Sequence, residues 1–217
     1  MQLQHVYHSD NFLEQIDQFR LITSQKIDDD RKSELSQYFT PVEISRFMAS
    51  LFKQFKDDIS LLDPGAGIGS LSAAFVDRVF DEKTNFDSLD ISCYEKDSEL
   101  LDTLKKTLKV CQGEALHKDI RFTFSIHSED FINDAAKIIK KENGLFPAHN
   151  KKYSHCILNP PYQKINSKSK YRKDLRSIGI ETSNLYTGFF ALGILLLQTK
   201  GEIVAIIPRS FCNGVYF

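Results

Sequence analysis

Residues 59–80 read "ISLLDPGAGIGSLSAAFVDRVF", and the order of residue types in that stretch decides the fold. ISLLD is a short apolar run of the kind that forms a strand buried on both faces. Gly65 and Gly67 then permit a tight turn and a close approach of backbone to a ligand. From Ser70 the apolar residues fall at helical spacing, and the first turn of that helix offers free N–H groups to the same turn. A plain strand-to-helix turn is the alternative for a G-x-G loop taken alone.

Working outward, the pattern repeats. Residues 90–95, 120–126, 153–159 and 201–208 read as further strands, and residues 98–110, 129–142 and 184–198 carry helical periodicity. Strands alternating with helices predict an α/β fold, a doubly wound, mainly parallel sheet covered on both faces. Ahead of it, Phe12, Ile16, Phe19 and Ile22 predict an amphipathic helix over 9–22, and residues 1–36 are expected to form an N-terminal helical segment before a main domain at 37–217. Thr40, Pro41 and Glu43 have the pattern of a capping box, which predicts a second helix starting at Thr40.

With 41% hydrophobic residues in 217, the chain has enough apolar material for one sizeable core. A formal net charge of −1 gives no bulk signal for nucleic acid or an anionic membrane. No apolar run approaches the ~20 residues of a membrane span and the N-terminus lacks a signal-peptide pattern, so a cytoplasmic protein is expected. Cys93, Cys111, Cys156 and Cys212 lack C-x-x-C spacing and read as reduced, mostly buried thiols, with no metal site or disulfide framework expected.

In doubly wound sheets ligands bind beyond the carboxyl ends of the strands, where strand order reverses. After the first strand, Asp63 would repel a dinucleotide pyrophosphate, and Gly65, Gly67 and Gly69 are not spaced as G-x-G-x-x-G. A ligand with a cationic centre and an amino group fits better. After the second strand, Glu95 is placed to accept from two ribose hydroxyls, or is an exposed loop carboxylate. After the third, Asp130 is placed to accept from an adenine amino group beside the ring of Phe131; equally, Asp130 caps the next helix and Phe131 is core.

The fourth strand ends in Asn159-Pro160-Pro161-Tyr162. Pro160 drives Asn159 towards extended backbone, and consecutive prolines stiffen the turn while removing N–H donors. Acceptors remain: the Asn159 side-chain oxygen and the Pro160 carbonyl can hold one primary amine, with Tyr162 stacking on its planar group. A sulfonium methyl donor is already reactive, so positioning and preoriented dipoles suffice without a strong base. Tyr186 and Phe189, on a long apolar helix, read as core.

Taken in order, "QYFTP", "DPGAGIGSL", "YEKD", "EDF", "NPPY" and "IIPRSFCNGVYF" resemble the γ-class DNA methyltransferases of bacterial restriction–modification systems, which act on adenine N6. The resemblance covers residues 36–217 and implies a Rossmann-like class I methyltransferase domain with S-adenosylmethionine as cofactor. It places Thr40 and Pro41 over the methionine end, Asp63, Gly65 and Gly67 near the amino acid portion, Glu95 on the ribose, and Asp130 with Phe131 on the adenine. Asn159, Pro160 and Tyr162 would hold the target adenine, with Phe217, or else Phe211 or Tyr216, stacking on it.

Such an enzyme takes double-stranded DNA and swings its base out of the helix. Residues 164–176 hold six Lys or Arg against Asp174, and Lys164, Lys168, Lys170 and Arg172 are expected on a mobile, DNA-facing loop; a solvated charged loop is the plain alternative. Relatives continue past the last motif, so the last strands and the target-recognition domain are expected to be missing. The strand at 201–207 should then lie at a sheet edge covered by another chain or by the N-terminal segment. Specific recognition would be absent or supplied in trans by a separate chain, and a restriction endonuclease is a further expected partner. The competing readings are a protein glutamine N5-methyltransferase, which shares N-P-P-Y chemistry, and a non-catalytic cofactor-binding subunit.

Overall fold

The computed structural model of the chain describes residues 12–26, 39–82, 86–142 and 152–211. Among these the chain forms α1 (Phe12–Lys26), α2 (Val42–Ser50), β1 (Asp57–Asp63), α3 (Ser70–Asp81), β2 (Phe86–Tyr94), α4 (Ser98–His117), β3 (Arg121–His127) and α5 (Phe131–Glu142). It continues through β4 (Tyr153–Leu158), α6 (Lys170–Arg176), α7 (Leu185–Leu196), β5 (Leu197–Ala205) and a 3₁₀ turn at Arg209–Phe211. The strands form one sheet in the order β3-β2-β1-β4-β5, and every neighbouring pair is parallel.

Successive residues of β1 serve opposite layers. Leu61 packs with Phe52, Phe75, Ile91 and Leu104 on one face, while Leu62 packs with Ile132, Leu158 and Leu192 on the other. Both leucines are fully buried, and every residue of β4 is buried, as a strand covered on two faces requires. The doubly wound expectation therefore holds. Phe12, Leu13 and Ile16 of α1 belong to the first of these two cores, so the N-terminal helix is part of the main packing. No helix among the described residues is long and apolar enough to cross a membrane.

Three local readings differ from the structure. Helix α2 starts at Val42, with Pro41 at the N-cap position (φ −59°, ψ 155°) and no side-chain capping bond. Thr40 and Glu43 thus form no capping box; the proline keeps the preceding residue extended and the Thr40 hydroxyl turns elsewhere. Strand β2 begins at Phe86, ahead of the apolar run, because its first residues lie in a half-exposed part of the sheet where polar side chains are tolerated. Strand β5 begins at Leu197, but between the pairings Tyr153↔Leu197 and His155↔Glu202 it advances five residues to β4's two. That irregularity, with Lys200 at φ 66°, hid its start from a periodicity reading.

Strand β5 is the outermost strand on its side. Its Glu202 carboxylate accepts the Lys53 and Gln54 N–H groups, each at 3.0 Å, so the segment after α2 closes its near end. Among the described residues no further strand pairs with it.

Gly69 opens α3 at φ +89°, and a Cβ there would stand 2.9 Å from Leu104 Cδ1 and 3.0 Å from Thr107 Cγ2. The glycine lets the α3 start lie against α4. Gly69→Ala combines a left-handed backbone with an overpacked contact and is expected to destabilise the protein by about 1–3 kcal/mol, read as a lower urea midpoint at unchanged m-value.

Candidate cofactor and amine site

Strand order places the site. The chain runs from β1 outward to β2 and β3, then returns to β4 on the other side of β1. The loops after β1 and β4 therefore leave the sheet in opposite directions, opening a crevice at their carboxyl ends. A cavity of about 200 Å³ lies there. Its walls include Gly65 and Gly67 after β1, Glu95 after β2, Asp130 and Phe131 after β3, and Asn159, Pro160 and Tyr162 after β4.

Glu95 is 9% exposed and ties two loops together: Oε2 accepts the Gly67 N–H at 2.8 Å and Oε1 accepts the Asp97 N–H at 2.7 Å. Burial pushes its carboxyl upward, opposed by those two backbone donors. A carboxylate offers about four lone-pair sites, so two remain for hydroxyl donors in the cavity. The Gly67 turn is set by φ +56°, the left-handed region that glycine takes without penalty.

Asp130 has both roles left open by its sequence. Its Oδ1 accepts the Asn133 N–H at 3.1 Å, capping α5, while Oδ2 accepts the Tyr171 hydroxyl at 2.5 Å. Phe131 is buried yet lines the cavity, its ring edge-on to Tyr94 (5.1 Å between centroids) and tilted against Phe189 (5.2 Å).

The Asn159 carboxamide is fixed from both ends. Nδ2 donates to Thr40 Oγ1 at 3.2 Å and Oδ1 accepts the Tyr162 hydroxyl at 2.8 Å. One lone pair of Oδ1 remains, and the Pro160 carbonyl accepts no hydrogen bond among the described residues. Neither residue 160 nor 161 carries an N–H to compete for these oxygens. The Tyr162 ring is 38% exposed and stands edge-on to buried Tyr186 at 6.3 Å. The site is thus an acceptor pair with a ring beside it, able to bind a planar primary amine.

Several expected residues lie elsewhere. Asp63 does not line the cavity: it is 0% exposed beneath Pro64 and Gly65, with Oδ2 accepting the Ser72 hydroxyl at 2.7 Å. Thr40 and Pro41 do not line it either; Phe39 does, and Thr40 acts by holding Asn159. Phe189, expected in the core, is half-buried and forms part of the cavity wall, whereas Tyr186 is buried as expected. Phe211 packs against Tyr186 and Phe190 and is not a wall residue. Phe217 and Tyr216 lie outside the described residues, as does Cys212; Cys93, Cys111 and Cys156 are buried free thiols.

The basic stretch is folded rather than an irregular loop. Lys164 pairs with Asn184 in an antiparallel bridge, Ser169 caps α6, and the Glu181 carboxylate binds both Arg172 and Arg176. Arg172 is therefore ion-paired and largely covered, which removes it from the free cations expected there. Lys164, Lys168 and Lys170 are exposed. Sequence reasoning missed Phe39, Tyr171 and Phe189 as wall residues. Only Phe39, beside the T-P pair, carried a signal.

Residues 9–217 match the family model described as Eco57I restriction-modification methylase. The type II methyltransferase M.BsuBI of Bacillus subtilis is 47% identical over 207 residues, covering 94% of this chain and 39% of that protein. M.PstI of Providencia stuartii is 38% identical over 202 residues, covering 93% of this chain and 38% of that protein. The chain thus spans about two fifths of the length of these curated relatives. Among solved structures, a Listeria monocytogenes protein assigned to the class I S-adenosylmethionine-dependent methyltransferases superposes with a TM-score of 0.66 at 14% identity, covering 99% of this chain and 58% of that one. A modification subunit assigned to a type I restriction enzyme of Vibrio vulnificus gives 0.55 at 14% identity, covering 88% and 37%. These structural likenesses establish the Rossmann-like class I methyltransferase fold, and with a match over nearly its whole length the chain belongs to the Eco57I restriction-modification methylase family.

Proposed function

We propose that the chain is the catalytic part of a site-specific DNA methyltransferase that moves a methyl group from S-adenosylmethionine to N6 of an adenine swung out of duplex DNA. The observation that carries this reading is that the Asn159 and Pro160 acceptors open into the same cavity as Glu95, Asp130 and the glycine turn. An amine acceptor pair and a nucleoside-binding set share one wall-to-wall space.

The donor set fits the cofactor. Glu95 has lone pairs left for the two ribose hydroxyls, Asp130 for the adenine amino group, and Gly65 and Gly67 let backbone approach the amino acid portion. Phe131 and Phe189 give the base an apolar wall. When bound, S-adenosylmethionine supplies a methyl group on a positively charged sulfur, which is electrophilic without further activation. The protein's own task is then the amine. Asn159 Oδ1 and the Pro160 carbonyl would accept hydrogen bonds from its two N–H groups, fixing the nitrogen and stabilising the positive charge that develops as the N–CH3 bond forms and the S–CH3 bond breaks; a thioether is left and one N–H proton passes to solvent. Tyr162 stacks on the base; stacking contributes about 1–3 kcal/mol, offsetting part of the few kcal/mol spent on extrusion.

Double-stranded DNA is the proposed substrate, with Lys164, Lys168 and Lys170 contacting phosphates, in the cytoplasm where the genome lies. Site recognition by a further domain or chain, and an associated endonuclease, complete the proposal. It rests on family membership together with the exposed lysines.

The test is transfer of labelled methyl to unmethylated genomic DNA, followed by hydrolysis and identification of the modified base. Label on N6-methyladenine is expected. Label on cytosine, or on a peptide glutamine and not on DNA, overturns the reading. So does cofactor binding without turnover in the presence of the relatives' remaining length.

A further inference from the structure

Between the N-P-P-Y turn and α7 the chain makes an excursion whose two ends are pinned together. Ile165 N–H donates to Ser183 O at 2.7 Å and Leu185 N–H donates to Gln163 O at 2.9 Å. Inside the excursion, Leu175 of α6 is fully buried in the second core, against Gly188, where an added Cβ would lie 3.0 Å from the Leu175 Cδ1. The helix is therefore anchored from below. One turn before Leu175, Tyr171 is half-buried and forms part of the cavity wall. Its hydroxyl donates to Asp130 Oδ2 at 2.5 Å, across 41 residues of sequence.

We infer that Tyr171 is a positioning residue of the cofactor site: it fixes the Asp130 carboxylate so that its free lone pairs meet the 6-amino group of the cofactor's adenine. The inference rests on the proposed function, and specifically on Asp130 facing adenine. Asp130 Oδ1 is held from the helix side by the Asn133 N–H, and Oδ2 is held from the opposite element by Tyr171. Two donors from two directions set the plane of the carboxylate, and two of its four lone-pair sites stay open. Lys96 Nζ, 4.0 Å from Oδ2 and well exposed, is too distant to do this by a hydrogen bond. A carboxylate preoriented in this way loses less freedom when the adenine binds.

The geometry also explains why the excursion follows the N-P-P-Y turn directly. The same connection that presents the amine acceptors carries the residue that holds Asp130, so one anchored segment contributes to both parts of the cavity wall.

Calorimetry on the intact protein tests this with two probes: S-adenosylhomocysteine, and its analogue bearing hydrogen in place of the 6-amino group. The quantity read is the ratio of the two affinities. The wild type is expected to favour the 6-amino ligand by at least about tenfold, the scale of one hydrogen bond to a charged group. Tyr171→Phe keeps the ring and its packing, and is expected to reduce the ratio to about threefold or less while the melting temperature stays within about 2 °C. Asp130→Ala, which also loses the bond to Asn133, is read through the same ratio and is expected to bring it to about one. A wild-type ratio in Tyr171→Phe alongside a lost ratio in Asp130→Ala overturns the Tyr171 role alone. Tighter binding of S-adenosylhomocysteine by Tyr171→Phe does the same, since it would make the hydroxyl a competitor of the adenine. No preference in the wild type, or an unchanged ratio in Asp130→Ala, overturns the adenine assignment of Asp130 and with it this inference.

Discussion

Asn159→Ala is expected to slow methyl transfer to DNA by at least about 100-fold in a single-turnover assay, with S-adenosylhomocysteine affinity changed by about twofold or less. The magnitude is that of deleting one preorganised dipole aimed at developing charge, about 3 kcal/mol. Alanine removes Oδ1 but leaves Glu95, Asp130 and the glycine turn untouched, because none of them bonds to Asn159. The separation of rate from cofactor affinity is the informative part. A variant that lost both together would report a collapsed wall, not a missing acceptor. Two neighbours sharpen the comparison. Tyr162→Phe keeps the stacking ring but frees Oδ1 of its 2.8 Å donor, and Thr40→Val removes the 3.2 Å acceptor that orients Nδ2. Both are expected to lose less than Asn159→Ala, about 3- to 10-fold, since each disturbs the orientation of an acceptor that is still present. Transfer by Asn159→Ala at half the wild-type rate or better would remove the amide oxygen from the mechanism.

The sequence made the parallel sheet legible because its strands are covered on both faces. Strand β4 is buried at every residue: Cys156, Ile157 and Leu158 give the apolar run ahead of the N-P-P-Y turn, while Ser154 and His155 are buried with their polar atoms bonded to Ser60 and the Gln54 carbonyl. Strand starts were less legible. The first residues of β2 are only partly covered, and β5 begins with an irregularity in register, so neither needs an apolar run. In the site, most residues that line the cavity from strand ends were readable from order alone, since the fold fixes where strand ends converge. Tyr171 and Phe189 were not. They reach the cavity from helices α6 and α7, and whether a helical aromatic faces a core or a cavity depends on what stands opposite, which periodicity does not encode. Thr40 shows the limit of a local motif. The T-x-x-E pattern offers a cap, but the hydroxyl is used by Asn159, a partner 119 residues away. Arg172 shows the same limit for charge, because its partner Glu181 lies beyond the basic run at 164–176.

The stability of the protein is expected to fall as pH rises from about 4 to 8, and Asp63→Asn is expected to remove much of that fall. Asp63 is fully buried, and burial pushes its carboxyl from 3.8 up to about 7, with neighbouring Glu95 adding to the rise and the Ser72 hydroxyl and Gly65 N–H opposing it. A group raised on folding binds its proton more tightly in the folded state. Its contribution is therefore fully present below the unfolded value near 3.8 and is lost as pH climbs through about 7. The whole shift corresponds to ~4 kcal/mol, an upper bound on what neutralising the side chain returns above pH 8. Asparagine cannot ionise, keeps an oxygen for the 2.7 Å bond from Ser72, and has nearly the same volume. Urea midpoints at pH 5 and pH 8.5 measure the effect: part of the ~4 kcal/mol is already lost at pH 5, so the variant's advantage over the wild type should grow by about 2–3 kcal/mol between the two. His155 acts in the opposite sense and on the acid side. Burial holds its imidazole below the ordinary 6.5, so its contribution is lost as pH falls below that value, and it does so equally in both proteins. Parallel stability profiles for the variant and the wild type would mean that Asp63 is not the buried acid driving the alkaline loss.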